Sequence, residues 1–311
     1  MKTIVPDYYP RFSCIAGACR HSCCIGWEID IDSDALRRYQ QQEGSIGQRL
    51  RQNIEMTPDG ACFRLSGPEE RCPFLNASGL CDLILTLGED ALCQICTDHP
   101  RFRNFCADRT EMGVGLCCEA ACRLILGWEE PVGLMTLEDD GGTEAADPKE
   151  ARVLSVRDGL IGLMQDRSRS VEARVEMLLD AAGARAEDFD WKEWLPFLRS
   201  LEQLDPQWDG WLARLEGLPC SLPVIPEMLQ RPLEQLMVYL LFRQLPGAVD
   251  DGCERERILL CALMWLIAAR LVLDADGSVE TLAEICRSLS SEWEYSEDNI
   301  AALLDEMGHL G

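Results

Sequence analysis

The sequence predicts a mainly α protein: an irregular, cysteine-rich, metal-binding N-terminal domain followed by an all-α helical domain. Three observations carry this. Thirteen of the seventeen cysteines fall between positions 14 and 122. From residue 149 onward apolar residues recur with helical period. Between the two lies a segment rich in Gly, Asp and Glu, with breakers that read as a linker or long surface loop. The expected division is 1–128, 129–148 and 149–311.

Taken in order, residues 1–13 read as an extended arm, because Pro6 and Pro10 disfavour helix. Residues 14–27 form a Gly- and Cys-rich loop of the kind that wraps a metal. Glu28 to Asp32 alternates polar and apolar residues, a short strand signal, and Ser33-Asp34 is placed to cap a following helix. Residues 44–61 give only weak signals. Short helices are expected at 83–92 and 120–128. Amphipathic helices follow at 149–166, 170–182, 190–204, 207–216, 226–245, 253–273, 278–290 and 296–308.

Thiols at this density require a joint explanation. No basic start followed by an apolar run suggests a secretory signal, and the most apolar stretch, 258–273, is interrupted by Arg270. A chain of 311 residues buries enough core to do without disulfide staples. The expected compartment is the reducing cytoplasm, where clustered cysteines mean metal or redox chemistry more often than disulfides. A formal charge of −25 argues against nucleic acid and anionic membrane as partners and favours basic ones, lysine-bearing segments included.

The spacings exclude common sites. Cys93/Cys96 is the one C-x2-C pair, so a zinc ribbon with two such knuckles is absent. The two-cluster ferredoxin run C-x2-C-x2-C-x3-C-P is absent too. The radical C-x3-C-x2-C pattern fails at Gly26 and at Ile125. Soft thiolates from separate segments leave an iron–sulfur cluster and a four-thiolate zinc site as the two open options. Cys220, Cys253, Cys261 and Cys286 lie in or near helical patterns and read as small buried hydrophobes.

The run Phe12-x-Cys14-x2-Gly17-x-Cys19-x3-Cys23-Cys24-x-Gly26-Trp27-x-Ile29-x-Ile31-Asp32 resembles the start of the flagellin lysine N-methylases. The resemblance continues through Cys72-Pro73-Phe74-Leu75-Asn76, Gly79-Leu80-Cys81, Leu87-Gly88-Glu89, Cys96-x3-Pro100-Arg101, Glu111 and Cys117-x-Glu119. It covers about residues 8–125. In the helical half Glu234, Tyr239 and Phe242-Arg243 match more loosely. The wider zinc- or iron-chelating cysteine-cluster proteins share only the Cys-Pro-Phe-Leu and vicinal-cysteine elements. His99 and Cys118 depart from the pattern, and Cys62, Cys93, Cys106 and Cys122 are additions to it.

The resemblance implies an iron–sulfur protein (4Fe-4S) that uses S-adenosylmethionine to methylate lysines of a protein substrate, flagellin in that family. It marks Cys14, Cys19, Cys23, Cys24, Cys72, Cys81, Cys96 and Cys117 as metal ligands, with zinc as the alternative metal. Eight thiols exceed the four of one cubane, so either two centres exist or half are structural. Trp27 and Arg101 are candidates to hold the cofactor, Trp27 through its ring face. Lysine must lose a proton before it attacks a methyl group, and Asp30, Asp32, Asp98, Glu111 and Glu119 are candidates to take it. Each also suits a cap, a turn or a partner of Arg101. No glycine-rich strand–turn–helix suggests a Rossmann-type cofactor site. A second reading is a non-catalytic zinc- or iron-chelating scaffold that binds a protein partner. A third, a thiol relay at Cys93/Cys96, lacks the βαβ surroundings of such motifs.

Overall fold

Helix Ser33–Gln41 begins where the Asp32 carboxylate accepts the backbone N–H groups of Asp34 (3.1 Å) and Ala35 (2.8 Å). Those donors have no partner inside the helix, which is why Asp is favoured at this position. The cap is thus Asp32, one residue before the expected pair. The other Asp32 oxygen accepts the Gln94 N–H at 2.7 Å, tying this helix to the short helix Gln94–Asp98.

The computed structural model describes residues 1–142, 144–205 and 207–310. It is mainly α, and the chain divides into two compact units. One is Ser13–Phe102; the other joins Met1–Phe12 to Arg103–Gly311. A boundary is expected from the sequence at 128, whereas these units place residues 1–12 and 103–128 with the helical part.

Ser13–Phe102 is built on one apolar cluster. A three-stranded antiparallel sheet, with Ala61–Phe63 between Asp30–Ile31 and Ile54–Met56, supplies Ile31, Ala61 and Phe63. The helices Ser33–Gln41 and Gly44–Asn53 supply Ala35, Tyr39 and Leu50. Phe63 sits between the rings of Tyr39 (5.8 Å) and Phe74 (5.1 Å). A β-carbon on Gly17 would stand 2.6 Å from the Ser78 carbonyl oxygen. Only glycine lets the cysteine loop pack this closely on the turn before Cys81.

A four-stranded sheet, formed largely by the helical unit, lies wholly before residue 149; after residue 147 the described residues form helices and no strand, as the sequence predicts for 149–311. The order is Arg101–Phe105, Arg109–Val114, Lys2–Pro6, Leu134–Asp139. Lys2–Pro6 pairs in parallel with Arg109–Val114 (Ile4 opposite Glu111) and antiparallel with Leu134–Asp139 (Val5 opposite Met135). The expected extended arm is therefore an inner strand, and part of the expected acidic linker is an edge strand. Thr143, in that linker, lies outside the described residues.

The expected helices appear as Pro148–Met164, Val171–Ala181, Trp191–Leu198, Trp208–Leu215, Glu227–Gln244, Glu254–Asp274, Val279–Trp293 and Glu297–Gly308. The third is shorter than its apolar period suggests, because side chains elsewhere capture the backbone that follows. Asn299 accepts the Glu202 N–H, and Glu292 accepts those of Leu204 and Asp205. Helices Glu227–Gln244 and Glu254–Asp274 form the centre, buried on nearly every face along Leu236–Phe242 and Leu259–Ala269. Trp265 spans them by donating to the Leu233 carbonyl at 3.0 Å. Among the described residues no helix is long and apolar enough to cross a membrane.

Candidate thiol centre

Five thiols of the Ser13–Phe102 unit share one apolar core. Cys72 and Cys93 are buried in it, and Cys24, Cys81 and Cys96 pack against it half-buried. Local structure brings them there. Ile25 bridges Arg71, and the Cys72 N–H donates to the Cys24 carbonyl at 2.8 Å, setting the vicinal cysteines beside the Cys-Pro-Phe-Leu turn. Leu75 bridges Cys81, closing that turn on the start of helix Asp82–Leu87. Cys93 precedes helix Gln94–Asp98 and Cys96 lies within it, with the two sulfurs 3.4 Å apart.

These thiols lie near enough to influence one another's hold on a proton. Burial pushes the Cys72 thiol up to about 12, and the neighbouring Cys24 and Cys81 push in the same direction. Cys81 is raised by burial and again by Cys24. Hydrogen bonding with Cys93 raises Cys96 most, followed by burial and the charges of Cys93, Cys24 and Cys72. Cys24 is pulled down, to about 7, chiefly by its hydrogen bond with Cys23, with Ser22 and Arg71 helping against burial. Crowded thiols that hold their protons give them up together only when a cation replaces those protons.

Of the eight ligands implied by the resemblance, the structure groups Cys24, Cys72, Cys81 and Cys96 in this way, with Cys23 bonded to Cys24. Cys14 is exposed, its sulfur accepting the Ala16 N–H, and Cys19 approaches the His21 carbonyl at 3.2 Å. Cys117 belongs to the helical unit. Cys93, which the family pattern treats as an addition, is fully buried in the thiol group. Its C-x2-C spacing with Cys96 was the signal available for it.

Trp27 donates to the Cys23 carbonyl, and its ring lies 5.7 Å from that of His99. Burial lowers His99 to about 4, with Arg101 adding to the effect, so the imidazole is neutral at pH 7. Arg101 donates to the Thr97 carbonyl at 3.1 Å. Asp30 is exposed on its strand, and Asp98 accepts from Gln94 at 2.7 Å. Glu111 and Glu119 lie in the helical unit, bonded to Arg157 and Arg109 and to Arg123 respectively.

That unit holds a polar centre, only part of which the sequence marks. Tyr239 donates to Glu294 at 2.8 Å and accepts from Arg243 (3.0 Å) and from the Leu116 N–H (3.2 Å). Gln244 also donates to Glu294 (2.8 Å), and the Arg243 guanidinium lies 4.8 Å from the centre of the Tyr295 ring. Burial pushes Cys117 up to about 12, opposed by its hydrogen bond with Tyr295 and by Arg243. Glu294 and Tyr295 carry no sequence signal that distinguishes them from the other acidic and aromatic residues of the helices.

Among the described residues, no three His, Cys, Asp or Glu side chains converge as ligands of one metal ion. No family model matches the chain, and no solved structure does. Two curated Salmonella proteins named Lysine-N-methylase, from S. typhimurium and S. choleraesuis, are each 24% identical to it over 263 residues. The alignments cover 82% of this chain and 59% of theirs, so the chain spans about three-fifths of the length of these relatives. A Salmonella muenchen protein named Flagellar biosynthetic protein FliU is 26% identical over 134 residues, 42% of this chain and 79% of its own. The resemblance first seen in the cysteine motifs thus extends over most of the chain, which is similar to proteins named lysine-N-methylase.

Proposed function

We propose that this chain is a protein-lysine N-methyltransferase that uses S-adenosylmethionine and a thiolate-held iron–sulfur cluster, with flagellin or a flagellin-like protein as substrate. The observation that carries this is the similarity to lysine-N-methylases across 82% of the chain. The donor chemistry supports the cluster: Cys24, Cys72, Cys81 and Cys96, with Cys93, are soft ligands on one core. Each iron of a cubane takes a single protein thiolate, so its ligands need not converge on one point as zinc ligands do. Cys14, Cys19 and Cys23 are the further candidate ligands of this unit, and Cys117 is a separate candidate in the helical unit.

When bound, S-adenosylmethionine supplies a sulfonium methyl as electrophile, and the cluster supplies a coordination site for a cofactor's polar end. The chain's own part is to hold the thiolates, exclude water, bind a lysine and accept its proton before the methyl moves. Trp27, half-buried beside Cys23, presents a ring suited to a cation, and Arg101 is a candidate for a carboxylate. Asp30, exposed, and Asp98, half-buried, are the carboxylates of this unit proposed to take the lysine proton. The excess of acidic groups, 54 against 29 basic ones, favours a lysine-bearing protein over nucleic acid.

Anaerobically purified protein, assayed for iron and acid-labile sulfide, is incubated with methyl-labelled S-adenosylmethionine and flagellin. Methyl-lysine found in the flagellin by mass spectrometry is the expected result. Iron- and sulfide-replete protein that transfers no label would falsify the catalytic reading. Tight zinc without sulfide, with flagellin or another protein still bound, would favour the chelating scaffold.

A further inference from the structure

A cavity of about 210 Å³ opens in the helical unit, and the reading above assigns it no role. Leu134, Ile161 and Val238 form apolar wall, while Tyr8, Tyr239 and Phe242 contribute rings. Its charged lining residue is Asp158. The volume is below the roughly 300–1,000 Å³ of pockets that enclose drug-sized ligands. It suits one extended side chain rather than a nucleoside-bearing cofactor.

Two polar groups on its lining have unused capacity. Tyr8 is only 2% exposed, its ring set edge-on to Trp128 at 6.0 Å, and its hydroxyl has no hydrogen-bond partner among the described residues. The hydroxyl is not one of the fully buried atoms without a partner, and Tyr8 lines the cavity, where a ligand atom can take the place of water. Asp158 gives only Oδ1 to Arg157, at 3.0 Å from Nε and 2.8 Å from Nη2. Its Oδ2 accepts no hydrogen bond among the described residues. Around it, three carboxylates (Asp108, Glu111, Asp158) face two guanidiniums (Arg109, Arg157), leaving one negative charge in excess. An apolar cavity with ring walls, an unbonded hydroxyl and a carboxylate that is 55% exposed is complementary to a long aliphatic cation.

We propose that this cavity receives the side chain of a substrate lysine, its methylenes against Leu134, Ile161 and Val238 and its ammonium directed to Asp158 and the Tyr8 hydroxyl. The assignment rests on the lysine-methylation reading for its meaning, yet binding is measurable without any methyl transfer. Gly162 also lines the cavity, and a β-carbon there meets no atom within 4 Å. Gly162→Leu therefore fills space rather than clashing, and it removes a glycine from the interior of helix Pro148–Met164.

The test is calorimetric titration of the full chain with N-acetyl-lysine methylamide and with its uncharged norleucine counterpart. Binding of the lysine compound is expected, with norleucine at least tenfold weaker. G162L and D158N should each weaken lysine binding at least tenfold, while G162L keeps the wild-type circular dichroism and a thermal midpoint no lower than wild type. The proposal is overturned by lysine binding that is absent, unchanged in G162L, or matched by norleucine. Label transfer that fails while lysine binding persists would count against the methylation reading and leave the cavity assignment standing.

Discussion

Glu111 and Arg157 form an ion pair in which neither side chain has any solvent exposure. Arg157 reaches both carboxylate oxygens, Arg109 donates to one of them at 3.0 Å, and the Phe242 ring lies 5.2 Å from the Arg157 guanidinium. Breaking one side of such a pair leaves the other charge buried, which costs about 3–5 kcal/mol. Glu111→Gln is therefore expected to destabilise the fold by several kcal/mol in urea titrations. A general base at this position would instead give lost turnover with the unfolding midpoint unchanged.

The grouped thiols predict a graded metal phenotype. Cys72→Ser and Cys96→Ser should each lower iron and sulfide per chain by half or more. Cys261→Ala, in the centre of helix Glu254–Asp274, should leave both unchanged. Equal metal content in all three proteins would place the centre elsewhere.

Glu292 predicts a pH dependence of stability. Its side chain is fully buried, and burial raises it from the ordinary 4.5 to about 7, with Asp205 and Glu202 adding while the Leu204 and Asp205 N–H groups oppose. Between these two values the folded chain holds a proton that the unfolded chain has released. Stability from this group is thus full below pH 4.5 and falls as pH rises towards 7, by at most about 1.4 kcal/mol per unit. In Glu292→Gln that component should vanish when unfolding is compared between about pH 5 and about pH 8. A slope identical to wild type would rule Glu292 out as its source.

Asp32 joins a helix start to the segment that carries Cys93 and Cys96. Loss of an N-cap costs about 0.5–2 kcal/mol, and the bond to Gln94 is lost with it. Asp32→Ala should lower stability by about 1–3 kcal/mol and speed hydrogen exchange at the Gln94 amide. Unaltered exchange there would show that the tether to Asp32 does not hold that helix.

Most helices after residue 147 are legible from recurring buried apolar residues, and Glu254–Asp274 because it is apolar nearly all round; Pro148–Met164 and Val171–Ala181 also bury Arg157 and Arg174. Helix Gly44–Asn53 was not, since Gly44 and Gly47 weaken the pattern and Leu50 is its buried apolar anchor. Strand Arg109–Val114 was hidden by its own chemistry. Arg109 and Glu111 read as surface residues, and the partner that allows Glu111 to be buried, Arg157, lies 46 positions later. For the site, residue type and motif identified the thiols, whereas their grouping depends on backbone pairing. Cys93 illustrates the difference: an addition by pattern, it lies within the group once helix Gln94–Asp98 closes.

The strand Lys2–Pro6 has a consequence for the order of events during synthesis. Its two neighbours in the sheet, Arg109–Val114 and Leu134–Asp139, are translated only after the whole of Ser13–Phe102. At about 5–20 residues per second, the strand leaves the ribosome roughly 5–20 s before its first neighbour. Throughout that interval Ile4 and Val5 have no sheet to enter. A nascent chain of this protein is therefore exposed to mispairing and to chaperone capture at this strand, while the thiol-bearing unit is already free to fold.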